Sequence, residues 1–138
     1  MNSLRQIIGV VVVACLTSCA TTSNHQFAAP TPQWETRTGQ LAYRGPNVSL
    51  IGEVLVRTSS TGDMELTFSK APALTLMTIK QDAQFASAEG PLARGGWAGP
   101  TASAPERLRG WFALREKIVT ERSSAQLTNG AESFNLRF

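Results

Sequence analysis

Few residues of this 138-residue chain combine the chemistry and the spacing of a catalytic or metal site. The chain has one histidine, His25, and two cysteines, Cys15 and Cys19. A nucleophile needs a neighbouring base and a metal needs clustered ligands, and neither pattern is completed around His25. We therefore expect no enzyme and no metal site, and we interpret His25 as a solvated linker residue. The ten carboxylates are scattered along the chain: Glu35, Glu53, Asp63, Glu65, Asp82, Glu89, Glu106, Glu116, Glu121 and Glu132.

Catalysis by serine, lysine and carboxylate alone remains the alternative. The formal net charge of +3 is too small to indicate nucleic-acid binding, and none is expected. A weak attraction to anionic lipid head groups is all that this charge allows.

A second group of candidates lies in the segment 89–100, which contains four glycines and two prolines. That composition predicts a loop, and the lack of a following Gly-Lys-Ser/Thr argues against phosphate binding. Leu92, Arg94 and Trp97 place two apolar side chains and one cation in this loop. They are candidates for contact with a membrane interface or for covering a ligand cavity. The alternative is that Leu92 and Trp97 fold back onto the core.

An amphipathic helix is predicted at about 103–121. Ser103 and Glu106 have the spacing of a capping box, in which each side chain bonds a backbone amide at the helix start. The next residues at three- and four-residue intervals form a stripe expected to pack on a sheet: Leu108, Trp111, Phe112, Arg115, Ile118 and Val119.

Two aromatic residues of that stripe have two interpretations. Trp111 and Phe112 either belong to the core, as aromatic residues at helical spacing usually do, or line a ligand cavity. Arg107 and Arg109 are interpreted as a solvated face. Gly110 disfavours a helix but is expected to permit close approach to a strand.

The rest of the chain predicts strands, because apolar and polar residues alternate in short runs separated by turn residues. Connections of two to five residues suit antiparallel neighbours. The fold class predicted is α+β, an antiparallel meander of about six to eight strands forming a curved sheet or half-barrel, with the helix packed on one face. Asn129-Gly130 predicts a hairpin with a type I′ turn. The other predicted strands are 35–44, 48–57, 64–69, 74–79 and 83–88.

The amino terminus has the order of a secretory signal. Arg5 precedes an apolar run at 7–15, which is too short to span a membrane, and Leu16-Thr17-Ser18-Cys19 follows. This order resembles the lipobox signal of bacterial lipoproteins. The resemblance implies cleavage before Cys19 and a covalent lipid, including palmitate-type acyl chains, on that residue. More than one chain gives stable attachment to a membrane.

The resemblance also implies a domain division and an address. Residues 1–18 are expected to be the signal peptide, 19–33 a lipidated disordered tether, and 34–138 a single domain of sheet plus helix. Ala20 stands where aspartate would mark inner-membrane retention. We therefore expect a lipid-anchored protein of the cell envelope, at the outer membrane and facing the periplasm, with no cofactor beyond the lipid on Cys19.

The combination of a lipid anchor, an antiparallel meander and a covering helix resembles the LolA/LolB-like half-barrels that localise lipoproteins in the bacterial envelope. In that family the sheet and its helices enclose a cavity for acyl chains, and the membrane-anchored receptor exposes a leucine in a loop. Leu92 is the nearest match. The resemblance implies a non-enzymatic protein that binds a lipid or lipoprotein. The alternative is a structural or adaptor lipoprotein that recruits another envelope protein, and a filled space between sheet and helix would favour it.

Overall fold

The computed structural model describes residues 25–138, in which one α-helix crosses an open antiparallel sheet of eight strands. The predictions for the signal peptide, for Cys19 and for the first part of the tether lie outside the described residues. The elements are β1 (Glu35–Arg44), β2 (Ser49–Thr58), β3 (Met64–Ala71), β4 (Leu74–Gln81), β5 (Phe85–Glu89), β6 (Trp97–Pro100), α1 (Glu106–Thr120), β7 (Ser124–Asn129) and β8 (Glu132–Arg137).

The predicted fold class is confirmed. The strand order is β6-β5-β4-β3-β2-β1-β8-β7, with every neighbouring pair antiparallel, and the curved sheet does not close. The first six strands form a meander. The chain then crosses the sheet through α1 and adds β8 beside β1, with Leu41 opposite Leu136 and Tyr43 opposite Phe134. The helix therefore joins one edge of the sheet to the other.

The core lies between α1 and one face of the sheet. Alternate residues of the first two strands are buried: Leu41 and Tyr43 of β1, and Val54 and Val56 of β2. The helix buries the following residues: Leu108, Gly110, Trp111, Phe112, Leu114 and Ile118. Burial of side chains of this size supplies the main stabilisation of such a domain.

The helix stripe differs from the prediction at two positions. Leu114 is fully buried although the predicted stripe omits it, and Val119 is half exposed at 50% although the stripe includes it. The helix presents a face wide enough to include Gly110 and Leu114, because the curved sheet contacts it from more than one side.

The predicted capping box is wrong. Helix α1 begins at Glu106 with Pro105 as its N-cap, and no side chain caps it. Ser103 instead ends a short 3₁₀ turn, Thr101–Ser103. Because a residue before proline avoids the helical region, Ala104 is extended and separates Ser103 from the first turn of α1.

The prediction that 89–100 is entirely a loop is also wrong. Its last four residues form β6, which pairs with β5 so that Trp97 lies opposite Ala88 and Pro100 opposite Phe85. The strand lies at the edge of the sheet, where a terminal proline removes no ladder hydrogen bond from a further neighbour. The remaining part of the segment contains a 3₁₀ turn, Pro91–Ala93.

The last hairpin is found, but its turn is centred one residue later than predicted. Asn129 pairs with Glu132, so Gly130 and Ala131 are the central residues. Gly130 has a φ of 59° and Ala131 has no positive φ. Positive φ at the first central position alone is typical of a type II′ turn, not of the predicted type I′ turn.

The end of the predicted tether packs on the sheet. His25 Nε2 lies 2.6 Å from Asp82 Oδ2, and the His25 ring stacks on Phe85 with centroids 3.9 Å apart. Phe27 contacts the same imidazole edge-on. The interpretation of His25 as a solvated linker residue is therefore wrong. Its ring packs on Phe85 and contacts the carboxylate of Asp82, which lies 57 positions later in the chain.

Successive turns of the meander alternate between the two ends of the sheet. We call one the cleft end, which contains the turn 45–48, the loop 90–96 and the hairpin turn 130–131. We call the other the capped end, which contains the loop 59–63, the turn 82–84 and the C-terminus of α1. The segment carrying His25 contacts the capped end through Asp82.

Candidate functional site

A cleft of about 500 Å³ opens at the cleft end of the sheet. Its walls come from parts of the chain that are distant in sequence: the turn after β1, the loop before β6, the first turns of α1 and the β7–β8 hairpin. The volume lies within the usual range of small-molecule sites, about 300–1,000 Å³. Pro46, Val48, Pro91 and Leu92 form its apolar walls.

Aromatic rings form the floor of the cleft. The Tyr43 and Trp111 rings have centroids 4.7 Å apart, and both contact the buried Phe134, at 5.1 and 5.0 Å. The Trp111–Phe134 pair is edge-to-face, an arrangement that aromatic quadrupoles favour. Tyr43 and Trp111 are only 8% and 2% exposed, so they present edges to the cleft. The contacts among these three rings hold the floor in place.

One partly buried polar pair lies beside the floor. The Tyr43 hydroxyl donates a hydrogen bond to Glu132 Oε2 at 2.5 Å. Burial, which is the largest cause, together with the hydrogen bond to Glu132 and the negative charge of Glu132, raises the pKa of Tyr43 to about 12. Tyr43 therefore stays protonated at neutral pH and holds Glu132 in a fixed position.

Three arginines surround the cleft: Arg94 in the loop, and Arg107 and Arg109 at the start of α1. Arg107 Nη2 donates to the Ala93 carbonyl at 3.4 Å, and Arg109 Nε donates to the Ala104 carbonyl at 3.1 Å. Among residues 25–138, no carboxylate lies within ion-pair distance of any of the three guanidinium groups. The cleft thus combines an apolar floor with positive charge at its rim.

Backbone geometry positions Arg94. It is the one non-glycine residue with a positive φ, 49°, in the described part of the chain, and it ends the 3₁₀ turn. Gly95 and Gly96 continue the turn with φ of 93° and 81°. A side chain in this left-handed conformation is uncommon, and it places Arg94 at the rim of the cleft instead of in the sheet.

The structure brings together three of the five residues that sequence analysis proposed as contacts. Leu92, Arg94 and Trp111 all line the cleft. Trp97 and Phe112 do not: their rings contact each other with centroids 5.6 Å apart, and Phe112 is 3% exposed in the core. Leu92 and Trp97 are both partly buried against the core.

The cleft residues that sequence analysis did not propose include Tyr43, Glu132, Arg107 and Arg109. The two arginines are exposed, as predicted, but they face the cleft. A signal for Tyr43 was present, because it is the last inward residue of β1 before the Gly45-Pro46 turn. No local signal marks Glu132, since its partner lies 89 positions away.

The space between α1 and the sheet is filled. Large side chains with almost no exposure occupy it, and Trp111 also contacts Phe68 with centroids 5.8 Å apart. An acyl chain could not pass beneath the helix without displacing these side chains. The side chains that fill this interior are Leu41, Leu66, Phe68, Met77, Ile79, Leu108, Leu114 and Ile118.

Comparisons with protein-family models, curated proteins and solved structures found no match to this chain. Within the described range, no helix has the length and hydropathy needed to cross a membrane. The same residues contain no group of three or more histidine, cysteine, aspartate or glutamate side chains placed to hold a metal ion.

Proposed function

We propose that this protein is a lipid-anchored, non-enzymatic protein of the bacterial envelope that holds the acyl chain of a lipid or lipoprotein in the cleft. It would be attached to the outer membrane through Cys19, face the periplasm and act in lipoprotein localisation. The observation that supports binding is the cleft itself, whose apolar walls and packed aromatic floor come from several parts of the fold.

Binding is favoured over catalysis by the chemistry of the cleft. Its titratable groups are arginines, two glutamates and Tyr43. Tyr43 is a poor nucleophile at neutral pH, because burial and the neighbouring Glu132 raise its pKa to about 12. Glu132 accepts the Tyr43 hydrogen bond through Oε2, which fixes the position of its carboxylate.

The interior between α1 and the sheet is filled, which is the result that sequence analysis assigned to the adaptor alternative. It excludes an acyl chain beneath the helix, so the proposed ligand is limited to what the open cleft can hold. A single acyl chain lying against Leu92 and Val48 fits this space better than a two-chain lipid. Val48 is 37% exposed, so apolar surface is available for such contact. Each buried methylene group contributes about 0.8 kcal/mol, and a chain in partial contact can bind at micromolar concentrations.

The test is native mass spectrometry of the full processed protein, purified from its own membrane in a non-ionic detergent. We expect a bound single-chain lipid in addition to the covalent lipid on Cys19. Leu92→Glu should remove the bound lipid, because it places a charge on the apolar wall. Val119→Glu is the matched control, since Val119 is 50% exposed on α1 and lies outside the cleft.

The adaptor alternative has its own candidate surface and its own outcome. Ile51 and Leu74 are 62% and 48% exposed and lie outside the cleft. Co-purification of a stoichiometric envelope protein, lost in an Ile51→Glu variant and kept in Leu92→Glu, would favour the adaptor and contradict acyl-chain binding in the cleft.

A further inference from the structure

We propose that the cleft selects ligands with an anionic head group, a carboxylate or a phosphate, which the guanidinium groups of Arg94, Arg107 and Arg109 bind. This inference rests on the proposed acyl-chain binding and names the chemical class of the ligand. The occupant is a single-chain anionic amphiphile, with its chain on the apolar wall and its head group at the rim.

The first support is the charge balance of the cleft. Its rim contains three arginines, Arg94, Arg107 and Arg109, and two acids, Glu106 and Glu132. Glu132 accepts the hydrogen bond of Tyr43 at 2.5 Å, and neither acid forms an ion pair with the arginines. An anion entering the cleft therefore meets cations that no acid of residues 25–138 neutralises at contact distance.

The second support is the number of donors left unused. A guanidinium group has five N–H donors arranged for bidentate contact with a carboxylate or a phosphate. Arg107 and Arg109 each give one hydrogen bond to a backbone carbonyl, and these bonds, to Ala93 and Ala104, restrict where the two side chains lie. Their remaining donors, and those of Arg94, have no hydrogen-bond partner among residues 25–138 and are placed to bind an anion.

The third support is the position of the charge relative to the apolar wall. Leu92 and Arg94 belong to the same short turn, two residues apart, and both line the cleft. Arg107 joins this turn to α1 through its bond to Ala93. A ligand with an anionic head and an apolar tail matches both features of the turn at once, whereas a neutral lipid matches only one.

The test compares ligands that share one acyl chain and differ in the head group. Oleate, oleoyl-lysophosphatidylglycerol and monooleoylglycerol would be titrated into the full processed protein in non-ionic detergent, with occupancy measured by native mass spectrometry. We expect the two anionic ligands to bind about tenfold or more tightly than the neutral one, the ratio that one charge-assisted contact supplies. The preference between oleate and the lysophospholipid distinguishes carboxylate from phosphate.

The variants locate the effect. Arg94→Gln combined with Arg109→Gln should reduce affinity for the anionic ligands to that for monooleoylglycerol and leave the neutral ligand unchanged. Arg122→Gln is the control. It also removes a positive charge, but from a side chain that is 87% exposed and lies outside the cleft.

Three results would overturn the inference, and they differ in whether they also contradict the proposed acyl-chain binding. Equal binding of all three ligands removes the head-group selection and leaves acyl-chain binding intact. An equal loss of anionic binding in Arg122→Gln shows attraction to overall charge instead of to the cleft. Binding of no ligand at all contradicts both this inference and the proposed function.

Discussion

The two ends of the sheet use their arginines in different ways. At the capped end, Arg37 extends from β1 and donates to the carbonyl groups of Ile118, Glu121 and Arg122, at 2.7, 3.2 and 3.1 Å. Its guanidinium also lies 4.3 Å from the centre of the Phe138 ring. The last carbonyls of a helix have no partner within it, so Arg37 supplies the missing donors and fixes α1 on the sheet.

At the cleft end, the arginines bond to far fewer groups. Arg107 and Arg109 each donate to one backbone carbonyl. The comparison shows two roles for arginine. The guanidinium of Arg37 bonds backbone carbonyls that hold α1 on the sheet, whereas the cleft arginines retain N–H donors with no partner among residues 25–138. We expect substitutions to separate these roles, with stability lost at one end and ligand selection lost at the other.

The largest expected effect belongs to Trp111, which forms part of both the core and the cleft floor. Trp111→Ala should destabilise the protein by about 3–5 kcal/mol, because it leaves a large cavity against Tyr43 and Phe134. Phe112→Ala should cost a similar amount, yet Phe112 lies outside the cleft. Urea denaturation measures both, and unchanged midpoints in both variants would contradict the packing of α1 described above.

The next effect tests the two ends directly. Arg37→Ala should cost about 1–3 kcal/mol, because it leaves helix carbonyls without donors. Arg94→Ala should change the free energy of unfolding by no more than about 0.5 kcal/mol, as expected at a surface site without such contacts. Arg37→Lys is a useful control, since one ammonium group cannot reach the three carbonyls that the planar guanidinium bonds. Equal losses in Arg37→Ala and Arg94→Ala would contradict the division of roles.

Substitution of Gly110 is expected to change the free energy of unfolding by a smaller amount, and the sign of that change is informative. Alanine is a better helix former than glycine by up to about 1 kcal/mol. However, a Cβ at Gly110 would lie 2.9 Å from a Phe134 ring carbon and 3.2 Å from Glu132 Oε1. We expect Gly110→Ala to destabilise the protein by about 1–2 kcal/mol through overpacking. Thermal denaturation would show this loss of stability. A stabilised variant would contradict the overpacking and would mean that the side chains of β8 can move away from the added methyl group.

The control for Gly110 is Ala113, an exposed position on the same helix. Ala113→Gly should cost about 1 kcal/mol by helix propensity alone. The two substitutions are exact reverses in chemistry, so destabilisation in both identifies close packing at Gly110 as the cause. The short distance between a Cβ at Gly110 and the Phe134 ring of β8 agrees with the sequence-based expectation that Gly110 permits close approach to a strand.

Sequence analysis predicted those features that local patterns determine. Alternation along β1 and β2 indicated which residues face the core, and Asn129-Gly130 marked the last hairpin within one residue. It missed β6, because four residues rich in glycine and proline carry no strand signal and form a strand only against β5.

The candidate site was predicted only in part, for a physical reason. Leu92 and Arg94 stood out by their chemistry within one loop. The partners of Glu132 and Arg37 lie more than 80 positions away in sequence, and such contacts arise from the order of strands in the sheet. The packing of His25 on Phe85 was missed in the same way.

The smallest expected effect is a change in titration at the cleft floor. Tyr43 is the sole tyrosine of the chain, so tyrosinate absorbance reports on it alone. Glu132→Gln should lower its pKa from about 12 toward 10.0, although burial, the larger cause, keeps it above the ordinary value. The pKa of Tyr43 is higher in the folded state than in the unfolded state, so protonated Tyr43 contributes to the stability of the folded protein. That contribution is fully present below pH 10 and is lost as pH rises through about 12. An unchanged titration in Glu132→Gln would contradict the Tyr43–Glu132 hydrogen bond.

The central claim is that ligand binds at the cleft end and leaves the capped end unchanged. The most direct measurement is fluorine NMR of the full processed protein labelled with fluorotryptophan, titrated with oleoyl-lysophosphatidylglycerol. Trp111 lies at the cleft floor, whereas Trp34 precedes β1 at the other end of the sheet. We expect the Trp111 resonance to shift with saturation and the Trp34 resonance to stay in place. A shift of Trp34 without Trp111, or no shift of either at saturating ligand, would contradict the claim.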